Sequence, residues 1–168
     1  MKPGFPVLLA GMLVVPVVVA QTHNLAMHHH DQAESAPTKA TLVPSRDTRQ
    51  AVHFPQALRE HTLTNMRDHL LALQQIQEAL AKQEYDRAGD IAEQRLGMTS
   101  LTLHGAQEVA KFMPNGMQEV GSAMHRNTSR FAVAARDAGA TADVKPALQA
   151  LSAVTAHCVA CHAGYRVK

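Results

Sequence analysis

Cys158-Val159-Ala160-Cys161-His162-Ala163-Gly164-Tyr165-Arg166 lies at the C-terminal end of a 168-residue chain and holds both of its cysteines. Upstream of it, Val144, Leu148, Leu151, Thr155, Cys158, His162 and Tyr165 recur at alternating spacings of four and three. That period predicts one long helix with the cysteine pair on its apolar face. Thr141 or Asp143 is placed to cap this helix, and Pro146 falls in its first turn, where a missing N–H does least harm. Two cysteines three apart cannot build a distributed disulfide framework, so a local chemical use is expected.

Three more helical stretches precede it. Between Gln56 and Lys82, Leu63, Met66, Leu70, Leu73 and Leu80 mark a buried face that Ile76 widens. Residues 84–104 repeat the habit through Ala88, Ile91, Ala92, Leu96 and Leu103, interrupted by Gly89 and Gly97. After Met113-Pro114-Asn115-Gly116, a third stripe of Met117, Val120, Met124, Phe131 and Ala135 runs toward Gly139, a candidate C-cap. Four helices, short connections and no strand candidates predict an all-α, antiparallel four-helix bundle. With aromatic residues at only 4% and no Trp, Phe112 and Phe131 are the bulky rings expected inside, and a prosthetic group would supply apolar volume.

The N-terminal third reads differently. Met1–Ala20 has one Lys, an apolar run from Phe5 to Val19 and a small-residue end, Val18-Val19-Ala20, which predicts an export signal cleaved after Ala20 and hence a periplasmic location; an uncleaved anchor is the alternative, weakened by its short length and by Gly11 and Pro16. From Gln21 to Pro55 the chain turns to His, Thr, Ala, Ser and Pro without an apolar period, which predicts a disordered tether. Its His23 and Met27-His28-His29-His30-Asp31 mix imidazole and thioether, donors that copper tolerates. The domain proper is expected over residues 56–168.

The C-x-x-C-H spacing is the attachment signature of c-type haem. Residues three apart share a helix face, so two thiols can add to the two vinyl groups of one porphyrin, and His162 can offer its imidazole to the iron. Other uses of the pair require more than the sequence offers. A thioredoxin-like couple sits at a strand-to-helix turn of a mixed sheet, and zinc needs further spaced ligands, for which His157 is the near candidate. A disulfide across three residues leaves His162 unexplained.

A C-terminal C-x-x-C-H-x-x-Tyr-Arg on the last helix of an exported all-α chain resembles the cytochrome c′ family and its low-spin, methionine-ligated relatives, over about residues 56–168. The resemblance implies a four-helix bundle with one covalent haem c, and a non-enzymatic role in electron transfer with periplasmic redox partner proteins or in binding gases such as nitric oxide or carbon monoxide. It also implies pairing of two copies into a homodimer, and it leaves the tether without a role. In the family an Arg early in the first helix is followed four residues later by the residue facing the iron. Arg59 and Leu63 match that spacing and imply an open site. Met66, a turn further on, matches the chemistry of a sixth ligand and implies a closed one, with Arg67 beside it for a haem propionate. Tyr165 and Arg166 occupy positions where family members pack a ring and an Arg beside the proximal His.

His69, off the predicted stripe, and His104 and His125 are weaker alternatives as ligands. Met98, Met113, Met117 and Met124 read as core or loop. Asp68 and Glu60 can pair with neighbouring Arg side chains, but exposed pairs of that kind contribute only about 0–1 kcal/mol and mark no site. Sixteen basic against fourteen acidic residues, with no basic run, give no grip on nucleic acid. No nucleophile, acid–base pair or phosphate loop supports hydrolysis or group transfer.

Overall fold

The computed structural model describes residues 46–168; the expected export signal and the copper-donor run His23–Asp31 lie outside them. Within the described residues the chain is all-α apart from one short pair of strands. The order is β1 (Gln50–Val52), α1 (Gln56–Ala81), α2 (Tyr85–Arg95), a 3-10 turn (Met98–Leu101), α3 (Ala106–Ala110), α4 (Asn115–Thr141), α5 (Lys145–Gly164) and β2 (Tyr165–Val167). α1, α2, α4 and α5 pack as a helical bundle. Apolar residues at alternating spacings of three and four place one face of each long helix on a common core.

That core is unusually small-grained. Ala72, Ala79, Ala88, Ala92, Ala132, Ala135 and Ala147 surround Ile76, Leu96, Met124, Phe131 and Val154, all buried. Small side chains let the helices approach closely, and at Gly89 the approach is extreme. A Cβ added there would lie 2.9 Å from the Ala132 carbonyl oxygen, so α2 and α4 meet at a position only glycine fits.

The seams are shifted from the expected ones. On α1 the buried line runs through Thr62, His69, Ala72, Ile76, Ala79 and Leu80, while Leu70 is 71% exposed. On α5 it runs through Ala147, Leu151 and Val154, and Leu148 faces outward. The stretch read as one helix over 84–104 ends at Arg95. Gly97 turns it into the 3-10 segment, and Leu103 is exposed instead of buried. The third stripe holds as expected through Met117, Met124, Phe131 and Ala135.

Termini differ as well. α4 continues past Gly139 to Thr141 and ends with Ala142 in the left-handed region at φ 58°. α5 starts from Val144 as its N-cap, not from Thr141 or Asp143 as expected; Asp143, one residue earlier, accepts a hydrogen bond from the Lys145 N–H at 3.0 Å through Oδ1, and Pro146 sits in the first turn as expected. Phe112 is largely outside the core, tilted against Phe54 at 6.3 Å, and it is Phe54 that is buried. Asp68 forms no surface pair with a neighbour on its own helix; Arg95 of α2 clasps its carboxylate and its carbonyl oxygen and also reaches Gln75, tying α1 to α2.

The strand pair has no counterpart in the sequence expectation. β1 and β2 run parallel, with Gln50 opposite Tyr165, Ala51 opposite Arg166 and Val52 opposite Val167. Three residues per strand are too few for alternation to register, and the pairing is set by what it covers. Val52 and Phe54 are buried against Leu58, Val109, Met113, Met117, Cys161, Tyr165 and Val167. The last residues of the expected tether therefore belong to the folded domain.

Candidate functional site

Two features of the bundle lie side by side: the cysteine pair of α5 and a cavity between α1, α3 and α4. Cys158 and Cys161 are half-buried free thiols. Cys158 leans on the main core and Cys161 on the second apolar cluster, so both sulfurs turn inward from α5. Burial raises both thiol pKa values, and the neighbouring Cys158 adds to the rise at Cys161. The pair thus stays protonated near neutrality and is poorly suited to thiolate redox chemistry. His162 is exposed, and its carbonyl oxygen accepts from Arg49 at 3.4 Å. His157 is engaged through Nε2 with the Asn127 amide at 2.8 Å.

Tyr165 packs so closely on the first turn of α4 that a Cβ at Gly116 would meet its hydroxyl at 2.6 Å. Arg166 approaches the Asp47 carboxylate, Nε to Oδ2 3.4 Å, and Arg49 binds the same carboxylate at 2.8 Å. The two Arg side chains hold the Asp47 carboxyl down near 2, Arg49 more than Arg166. The strap at Asp47–Phe54 is in this way pinned over the cysteine end of α5 by charge as well as by apolar packing.

The cavity measures about 300 Å³, at the lower end of the roughly 300–1,000 Å³ found for small-molecule and cofactor sites. Its wall includes Thr62, Met66 and His69 from α1, His104, Val109 and Met113 from the α3 region, and Gln118 and His125 from α4. Val109 and Met113 also belong to the cluster that receives Cys161, which brings that end of the cysteine pair close to the cavity without either thiol lining it. Met66 lines it. Leu63 is half-buried outside its wall, and Arg59 and Arg67 are exposed on α1.

The three histidines come from three separate elements and were legible singly but not as a group. Ring centroids are 4.7 Å apart for His69 and His104, 5.8 Å for His104 and His125, and 6.1 Å for His69 and His125. Burial holds all three below the usual imidazole value, and His69 is pushed down to about 3, first by desolvation and then by the charge His104 and His125 would carry. The cluster is therefore neutral at pH 7. Among the described residues no group of three His, Cys, Asp or Glu side chains is arranged to hold a metal ion.

Thr62 supplies the other anomaly: its Oγ1 is sealed from solvent without a hydrogen-bond partner. Leaving such a group unpaired costs about 1–3 kcal/mol, so the cavity wall carries a donor for which the described residues provide no acceptor. The donor set suits a covalent haem c in three respects: two inward thiols at the required spacing, an imidazole next to them, and an apolar cavity with sulfur and nitrogen donors. The sequence signal for the cysteines, His162 and Met66 was explicit; that for Thr62 and the imidazole group lay in a seam masked by their polarity. No protein-family model, curated protein or solved structure matches this chain.

Proposed function

We propose that this chain is an exported monohaem c-type cytochrome of the cytochrome c′ kind that carries single electrons between periplasmic redox partners. The observation that carries the reading is the pair of half-buried thiols of Cys158 and Cys161, turned inward beside His162 and next to a cavity lined by Met66. Haem, when bound, supplies the one-electron couple. The chain's own residues do the rest. Cys158 and Cys161 would hold it covalently through their sulfurs, and His162 would offer its iron an imidazole and Met66 a thioether, a soft donor that favours reduced iron and raises the potential. The Ala-rich core and the strap over Cys161 exclude water and limit rearrangement when charge changes.

Tyr165 and Arg166 serve this end of α5 by holding it against α4 and the strap. Copper binding by the His-rich tether and pairing of two copies remain readings of the sequence that the reading above does not need.

The test is maturation in an export-competent host with haem-ligation machinery. Pigment that resists acidic acetone in the wild type, and is lost in Cys158→Ala/Cys161→Ala, is the expected result; colourless wild-type protein overturns the reading. Carbon monoxide added to the reduced protein separates the alternative, a five-coordinate gas-binding site, for which Leu63 was the expected guard although it lies outside the cavity wall. Rapid binding without ligand displacement favours that alternative, and slow or absent binding favours the carrier.

A further inference from the structure

Three imidazoles share the cavity wall, and the carrier mechanism uses none of them. Their nitrogens are not equivalent. His69 Nε2 and His104 Nδ1 face each other at 3.4 Å, and His104 Nδ1 also lies 3.5 Å from Ser100 Oγ. These two rings therefore spend polar atoms on one another and on the 3-10 turn.

His125 is held differently. It is 8% exposed, and its Nδ1–H donates to the Leu96 carbonyl oxygen at 2.8 Å. That bond fixes the tautomer: the proton stays on Nδ1 and the lone pair on Nε2. Among the described residues Nε2 has no hydrogen-bond partner. Leu96 belongs to the core behind the wall and His125 to the wall itself, so the free nitrogen is on the cavity side. A backbone carbonyl holding the far nitrogen of an imidazole is how proteins orient and strengthen a histidine that ligates a metal. His69 and His104 abut the same ring at 6.1 and 5.8 Å and restrict its rotation.

We propose that His125 is a metal ligand of this cavity, its Nε2 a nitrogen donor for the remaining axial position of the haem iron, in competition with the Met66 thioether. The proposal rests on the haem reading above and deepens it. Met66 and His125 stand on different helices, α1 and α4, and line the same cavity, so the site offers a soft donor suited to reduced iron and a harder one suited to oxidised iron. Accepting either donor needs no proton transfer, because His125 keeps the proton on Nδ1.

The experiment uses the mature pigmented protein in its oxidised form, read by electron paramagnetic resonance and visible absorption. In Met66→Leu, a change that conserves volume and fold, the iron is expected to stay low-spin with the signature of two nitrogen axial ligands. In Met66→Leu/His125→Ala it is expected to turn high-spin and to recover the low-spin signal on adding free imidazole. High-spin iron in Met66→Leu alone overturns the proposal, and so does low-spin iron in the double variant, which would assign the donor to His69 or His104. Should the double variant fail to fold, Met66→Leu/His125→Gln, which keeps most of the side-chain volume, carries the same two outcomes. Wild-type protein without covalent pigment is a separate result and removes the haem reading itself.

Discussion

Acid should loosen this domain early, because a neutral imidazole cluster lies in its interior. The unfolded chain protonates His69 near 6.5, whereas in the fold burial and the flanking His104 and His125 hold it to about 3. Asp68 faces it as well, but Arg95 neutralises that carboxylate. A depressed histidine value means that the unfolded state binds more protons, so stability is complete above pH 6.5 and is lost as pH falls toward 3. At about 1.4 kcal/mol per pH unit, His69 alone costs about 2 kcal/mol by pH 5 and about 4 kcal/mol by pH 3. That is a large share of the ~5–15 kcal/mol that stabilises a typical domain. His104 and His125 shift the same way and steepen the slope. Urea titrations from pH 7.5 to 5.0 measure it, with His69→Gln as the comparison. The wild type should lose stability progressively below pH 6.5, and the variant should show a slope shallower by about 1.4 kcal/mol per pH unit. Equal slopes in the two proteins, or a flat wild-type profile, would refute the claim that His69 is buried and neutral.

Two further outcomes follow from packing. Gly89→Ala forces a methyl group against the Ala132 carbonyl and should destabilise by about 1 kcal/mol or more, since overpacking exceeds the helix-propensity gain. Gly139→Ala, whose Cβ meets only Tyr85 at 3.7 Å, should instead stabilise by about 0.5 kcal/mol; thermal melts of both variants check the opposite signs. Thr62→Val removes the unpaired buried hydroxyl in a nearly isosteric change and should stabilise the domain by about 1 kcal/mol in denaturant titrations, unless a bound group accepts from that hydroxyl.

Fold class and helix positions were largely open to inspection of the chain, because burying one face of a helix leaves a period. α1 was expected over Gln56–Lys82 and spans Gln56–Ala81, and the α4 stripe of Met117, Met124, Phe131 and Ala135 is the buried one. The period gives the element but does not choose between adjacent registers. On α1, Thr62, Met66, His69, Leu73, Ile76 and Leu80 keep the same alternation of four and three as the expected line, and all six are buried or half-buried. A hydroxyl and an imidazole in that line made the Leu63–Leu70 register look the more apolar. On α5 the same ambiguity favoured Leu148 over Ala147, since alanine carries little hydrophobic weight until close helix packing rewards its small size.

The local chemistry of the chain was determined by sequence alone: two thiols and an imidazole at fixed spacing on one helix, because such spacing is a property of a single continuous segment. Tertiary structure decided which residues from distant segments share a space. It closed β1 onto β2 over Cys161, put Met66 in a cavity wall and Leu63 outside it, and gathered His69, His104 and His125 from three elements around one void. Contacts of that kind depend on how helices cross and how closely alanines and glycines let them approach. Those are distances between segments, and they leave no period along the chain.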